Sequence, residues 1–230
     1  MRYKKLNDEE IKKYFDYYVN IQLIGKVPAV GDIAYEGVIN GKKTVFFDTD
    51  YRSDSNLTPI GIVFEVKGIK VKIVSLYEKH ELEWCTKDAE GYNKDLIGDS
   101  EITEKINLIG DWDIKGKYPA FDYVKSLGKG WYLPGRDEMG IIFKMREHIK
   151  DGLRKMLGYI YVDKMGEHVY EEVTSGIRIE YKGLYWTSGC SYGVVTEAYC
   201  CSLGDNGYYT GGDEDKTTRR SVRAVRDIVL

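Results

Sequence analysis

Gly130-Trp131-Tyr132-Leu133-Pro134-Gly135-Arg136-Asp137-Glu138-Met139 is the stretch on which the fold turns. It approaches as a strand, breaks at Pro134 and continues as a helix whose inner face carries Met139, Ile142, Phe143 and Ile149. Glu138 stands three residues after Gly135, the spacing of a capping box. With glycine where Ser or Thr is usual, the turn geometry is kept and the side-chain acceptor is lost. Immediately upstream, Pro119 at a first helical position, Phe121, Val124 and Leu127 on one stripe and Gly128 at the end define another short helix.

On both sides of these helices the texture is that of strands. Residues 32–39 and 43–48 flank Asn40-Gly41, whose positive φ angles favour a type I′ hairpin. Residues 59–66 read as a buried strand and 70–76 as its alternating antiparallel partner. Residues 78–117, around Trp84, Tyr92, Trp112 and Tyr118, predict long loops with short helical pieces. Beyond 158 the pattern predicts strands at 159–162, 169–173, 178–181, 184–188, 196–203, 208–211 and 221–228, with turns at Asn206-Gly207 and Gly211-Gly212. Helices in the middle and antiparallel strands at both ends argue for one α+β domain over residues 27–230. Ahead of it, Ile11, Tyr14, Phe15, Tyr18 and Ile21 recur at helical spacing, so residues 1–26 predict an amphipathic helix that packs on the domain or serves in a homo-oligomer.

The charge balance excludes several classes. The 230 residues carry 34 Lys+Arg against 37 Asp+Glu with 43% hydrophobic residues, which suits a buried core and neither a histone-like nucleic-acid binder nor an acidic tail. No run approaches the roughly 18 apolar residues of a membrane-spanning helix, so neither nucleic acid nor membrane insertion is expected. The 20 Tyr and 25 Gly against 4 Pro point to strand and hairpin surface, where a tyrosine packs its ring and keeps its hydroxyl wet. Cys85, Cys190, Cys200 and Cys201 lack Cys-x-x-Cys spacing, and adjacent Cys200 and Cys201 point to opposite faces of a strand; free, half-buried thiols are expected. The first ten residues show no apolar h-region, so no secretory signal peptide is visible.

The order Pro119-Ala120-Phe121-Asp122-Tyr123, Gly130-Trp131-Tyr132-Leu133-Pro134 with Glu138, Tyr185-Trp186-Thr187-Ser188, Ala198-Tyr199-Cys200 and Val222-Arg223-Ala224-Val225-Arg226 resembles the Lcl C-terminal domain family of collagen-like bacterial adhesins. The resemblance spans residues 117–228 and is carried by order more than by any single motif. It implies a C-type lectin-like fold, twisted antiparallel sheets with two central helices, shared with formylglycine-generating enzymes and with receptor-binding proteins of some phages. A cell-surface or virion location is implied with it. Gly135, Thr187 and Ala224 depart from the family pattern, and Ala224 puts a family disulfide there in doubt. In this frame Trp131 and Trp186 fill the space between helix and sheet, Pro134 turns the chain, and Val222, Ala224 and Arg226 face inward. Arg223 and Arg226, three apart, fall on opposite strand faces, one paired with a carboxylate and the other solvated.

Catalysis has no visible apparatus: no phosphate-binding loop, nucleophile elbow or dinucleotide fingerprint occurs. His80, His148 and His168 are far apart, so no metal site is indicated, and no cofactor is expected. The acidic stretches 48–54 and 213–215 lack the pattern of a calcium loop and read as solvated loops. The signatures of calcium-bridging lectins are missing too. What remains is a recognition surface, Ser191 and Tyr192 in the loop after Trp186, with Asp205, Asn206, Tyr208 and Tyr209 nearby in sequence; Tyr offers rigid amphipathic area and the small residues adaptable hydrogen bonds. The expectation is a non-enzymatic recognition module, an adhesin or receptor-binding protein, that binds a glycan or protein without calcium. Two alternatives stay open, a structural protein assembling through its N-terminal helix and a thiol enzyme related to formylglycine generation.

Overall fold

Neighbouring residues along the central strands enter different cores, and that alternation organises the molecule. The computed structural model describes residues 27–39, 42–52, 56–94, 109–163, 183–191, 193–203 and 209–230. Strands β1 (Ile33–Ile39) and β2 (Lys42–Asp48) form the expected hairpin. β3 (Thr58–Lys67) and β4 (Lys70–Leu82) follow as an antiparallel pair. Helix α1 (Pro119–Ser126) leads into the short β5 (Trp131–Tyr132), then α2 (Arg136–Lys144) and α3 (Arg146–Asp163). β6 (Tyr185–Cys190), β7 (Glu197–Leu203), β8 (Tyr209–Asp215) and β9 (Arg220–Val229) complete the chain.

All nine strands join one mixed sheet in the order β2-β1-β3-β4-β9-β6-β7-β8, with β5 pairing β9 off that path. β9 is the hinge of the arrangement. One edge pairs antiparallel with β4; the other is shared by β5, at Val225 and Arg226, and by β6, which joins it in parallel at Ser221.

The α+β, C-type lectin-like arrangement of antiparallel sheets and two central helices is therefore overturned. Among the described residues the chain is mostly β, nine strands against three α-helices and a 3-10 turn at Glu90–Asn93, and the sheet is mixed. The strands are longer than local signals suggest. β4 runs to Leu82 because β9 pairs it as far as Arg220, and residues 213–215 are strand because Glu197, Ala198 and Tyr199 pair with them. Residues 159–162, expected as a strand, belong to α3. Their aromatic and β-branched content reads as β, but the helical period of buried Ile149, Leu153 and Met156 carries the helix through them. The expected N-terminal helix and the strands at 169–173 and 178–181 lie outside the described residues.

Ile62, Phe64, Val74, Leu76 and Val225 meet Met139, Ile142, Phe143, Ile149 and Leu153 of α2 and α3 on one face. On the other face Val222, Ala224, Trp186 and Cys200 meet Phe121 and Val124 of α1, and Val63, Ile73 and Ile228 form a third cluster. Being covered on both faces, the central strands read as near-continuous apolar runs. Cys200 and Cys201 enter opposite cores, as period-two alternation requires, and none of the four cysteines is in a disulfide. Trp186 is fully buried and its indole donates to the Leu82 carbonyl at 2.9 Å, while Trp131 is partly buried between the second and third clusters. Arg223 and Arg226 do point to opposite faces, yet neither is solvated. Arg223 is buried against Glu78 at 2.9 Å, and Arg226 reaches Glu36 at 2.5 Å.

Candidate functional site

Pro134 ends β5 so abruptly that the next residues open α2 directly above the sheet. At this corner Glu138 closes half of a capping box: its Oε2 accepts the Gly135 N–H at 2.8 Å. Its other oxygen is turned toward the sheet, where it accepts from the Tyr132 hydroxyl at 2.7 Å and from Lys72. Tyr132 also lies 2.6 Å from Asp227 Oδ1, and Lys72 Nζ lies 3.5 Å from the same carboxylate. A phenol carries one proton, so two carboxylates at this spacing are held together by Lys72 as much as by Tyr132.

The sheet register supplies these partners. Glu65, Lys72 and Asp227 stand opposite one another on β3, β4 and β9, a row of alternating charge across three strands. Between this row and the first turn of α2 runs a groove of about 560 Å³, lined among others by Glu65, Lys70, Lys72, Arg136, Glu138 and Asp227. Burial opposes the charge on Lys72, but its hydrogen bond to Glu138 and the charges of Glu138 and Asp227 outweigh that and hold it above the ordinary lysine value. Burial, then the Glu138 charge, pushes Tyr132 far above the ordinary phenol value. The groove thus presents ammonium and guanidinium donors beside carboxylate acceptors.

Arg136 extends the site toward β7 by covering the Tyr199 ring, its guanidinium carbon 4.4 Å from the ring centroid. Glycine at 211 makes this possible, since a Cβ there would fall 2.0 Å from the Tyr199 hydroxyl oxygen.

The residues expected to bind ligand fare differently. Ser191 is buried, and its N–H donates to the Glu197 carbonyl at 3.0 Å, so it closes the turn between β6 and β7. Tyr192, Asp205, Asn206 and Tyr208 lie outside the described residues, and Tyr209 opens β8. Glu138, expected as framework, lines the groove, while Pro134, expected likewise, is buried just before it. Lys72 and Asp227 were not expected at all. The alternation in Lys70-Val71-Lys72 does place two ammonium groups on one strand face, but their partners follow from the β4–β9 register, which no local signal supplies.

Elsewhere the chemistry is muted. Burial pushes the Cys85 thiol up to about 12 and the Cys200 thiol up to about 11, so both are protonated near neutrality and poor nucleophiles. No helix among the described residues is long and apolar enough to cross a membrane. Compared with protein-family models and with curated proteins, the chain matches none.

Proposed function

We propose that the chain is a recognition module that holds a polyhydroxylated ligand, a glycan, in the groove between the first turn of α2 and the β3–β4–β9 row. The observation that carries the reading is the alternation of fixed donors and acceptors along that groove, with Glu65, Lys72 and Asp227 in register below Arg136 and Glu138. Each hydroxyl of a sugar donates once and accepts twice, so it fits between a carboxylate and a neighbouring ammonium or guanidinium. The Tyr132, Glu138 and Lys72 bonds fix the floor before ligand arrives, which lowers the ordering cost of binding. Carboxylates and cations of the chain itself make the contacts, so binding is independent of calcium.

A glycan array read with and without chelator tests this, followed by titration of the strongest hit. Asp227→Asn and Lys70→Ala alter exposed rim groups and are expected to weaken binding together by at least about tenfold, with binding in chelator unchanged. Melting temperatures should stay close to wild type. An array without hits, or equal affinity in the double variant, would overturn the assignment to this groove.

A further inference from the structure

At the other end of the β4–β9 pair, three side chains form a relay that the groove does not use. Ser221 Oγ lies 2.9 Å from His80 Nδ1, and His80 Nε2 lies 3.3 Å from Glu78 Oε1. The Glu78 side chain is fully buried. Its Oε2 accepts from Arg223, at 2.9 and 3.3 Å, and from the Tyr185 hydroxyl at 2.9 Å, which fixes the carboxylate in place. Its Oε1 is also buried and has no hydrogen-bond partner among the described residues, His80 Nε2 approaching it as a contact and not as a formed bond. A buried carboxylate oxygen needs a donor, and the one group facing it is the imidazole. With its proton on Nε2 the imidazole turns a donor toward that oxygen and the Nδ1 lone pair toward the Ser221 hydroxyl, and this is the tautomer on which the proposal below rests. This is the order nucleophile, base, orienting carboxylate, with half of the His80 side chain open to solvent.

The backbone is bent to make it. The register of β4 against β9 slips between Lys79 and Leu82, so His80 and Glu81 together face Ser221. Glu81 has φ +56°, the one positive φ at a non-glycine residue among the described residues. A regular ladder would not put the extra β4 residue there, and the strain is maintained by pairing on either side, Lys79 with Val222 and Leu82 with Arg220.

We propose that Ser221 is a nucleophile, activated by His80 and Glu78, that accepts an acyl group from small ester substrates. Ser221 Oγ forms a bond to the ester carbonyl carbon as its proton passes to His80 Nδ1. The carbonyl–alkoxy bond then breaks, and the alcohol departs with that proton. Water, deprotonated by the same imidazole, releases the acid and restores Ser221.

The test is labelling of the full chain with a fluorophosphonate probe, with the adduct located by peptide mass spectrometry. An adduct on Ser221 is expected. It should vanish in Ser221→Ala, and its rate of formation should fall about a hundredfold in both His80→Phe and His80→Gln, the loss typical of a missing general base. His80→Gln retains a hydrogen-bonding amide without a base, so it separates base catalysis from mere positioning. Far-ultraviolet circular dichroism and melting curves confirm that these solvent-facing variants fold. No adduct on Ser221, labelling of Ser126 at the same rate, or an unchanged rate in either His80 variant would overturn the proposal. Glycan binding in the groove is read separately and is independent of each of these outcomes.

Discussion

Lys216 is the sharpest place to test the physical account of the fold. Its side chain is fully buried, and no carboxylate is ion-paired to it among the described residues. Instead its ammonium points at the carbonyls of Val195 at 2.6 Å, Gly91 at 2.9 Å, and Tyr92 and Lys94 at 3.4 Å each. The Trp84 ring lies 5.1 Å away. The backbone of Lys216 is engaged too, its carbonyl accepting from Trp84 and Cys85 and its N–H donating to Thr196. One residue thus ties the 84–94 loop to the turns before β7 and after β8. Lys216→Met keeps the length and the apolar stem while deleting the charge. Two short charge-assisted bonds are lost, worth about 1.5 to 3 kcal/mol each. Against that, the variant no longer buries an ammonium, a relief of several kcal/mol in the unpaired limit that carbonyl solvation reduces. Weighing the orphaned carbonyls more heavily, a net loss of about 2 to 4 kcal/mol is expected. For a chain of this size that lowers the melting temperature by about 4 to 16 °C. Urea denaturation followed by tryptophan fluorescence measures it, and the emission of Trp84 should shift as its polar neighbour leaves. A variant within about 0.5 kcal/mol of wild type would refute the reasoning, because burial cost and carbonyl bonds would then cancel.

Gly152→Ala should destabilise the protein by about 1 to 3 kcal/mol although alanine is the better helix former, because its Cβ would lie 2.7 Å from the Gly31 carbonyl oxygen; a more stable variant in urea would contradict the packing described. Native Cys85 and Cys200, with thiols raised by burial to about 12 and about 11, should be alkylated by iodoacetamide at pH 8 more than about 100-fold slower than in urea, and peptide mapping that finds both readily modified would speak against it. Asp88 is held at about 2 chiefly by its hydrogen bond to Lys117. In Asp48 and Asp215 the opposing effect of burial is outweighed by hydrogen bonds, from the Asp50 N–H and Arg52 in one case and from Thr217 and Tyr92 in the other. Depressed carboxylates contribute stability above their unfolded values, and that stability is lost as pH falls through the folded ones, so the melting temperature should drop between about pH 4 and 2. The drop should be shallower in Asp88→Asn, and an identical slope would remove Asp88 from the explanation.

Local signals were sufficient wherever neighbours in sequence set the geometry. Pro119 and Gly128 bracket α1, the pairing of β1 with β2 was signalled in the sequence by the Asn40-Gly41 dipeptide, and Glu138 caps α2 by its spacing from Gly135. They failed wherever a distant strand decides. Residues 213–215 look like a solvated acidic turn until β7 pairs with them, and residues 78–82 look irregular because the bulges in β4 break its alternation. The groove was illegible for the same reason. Lys72 and Asp227 are separated by most of the chain, and only the antiparallel register of β4 on β9 makes them neighbours. Tyr-rich loop composition drew attention instead to Ser191, whose burial turns it into a turn-closing residue.

One strand accounts for both candidate sites. Along β9 the residues with even numbers, Val222, Ala224 and Ile228, enter the cores on one face, together with Arg226 on Glu36. The odd-numbered residues face the other way and meet β4 in successive rows, Ser221 on His80, Arg223 on Glu78, Val225 on Val74 and Asp227 on Lys72. Three of those four rows are polar on a face that elsewhere is apolar core. Polar rows inside a sheet weaken it unless every group is matched, so each must be completed by a partner at fixed distance. Arg223 and Tyr185 satisfy one oxygen of Glu78, and Glu138 and Tyr132 complete the Lys72 row. The buried Arg223–Glu78 pair lies between the two sites, and removing Arg223 would strand Glu78 as an uncompensated charge, which costs about 3 to 5 kcal/mol. The same charge requirement that makes this pair costly to disturb holds Glu78 rigid beneath His80, so the stability of the strand pair and the reactivity proposed for Ser221 rest on one carboxylate.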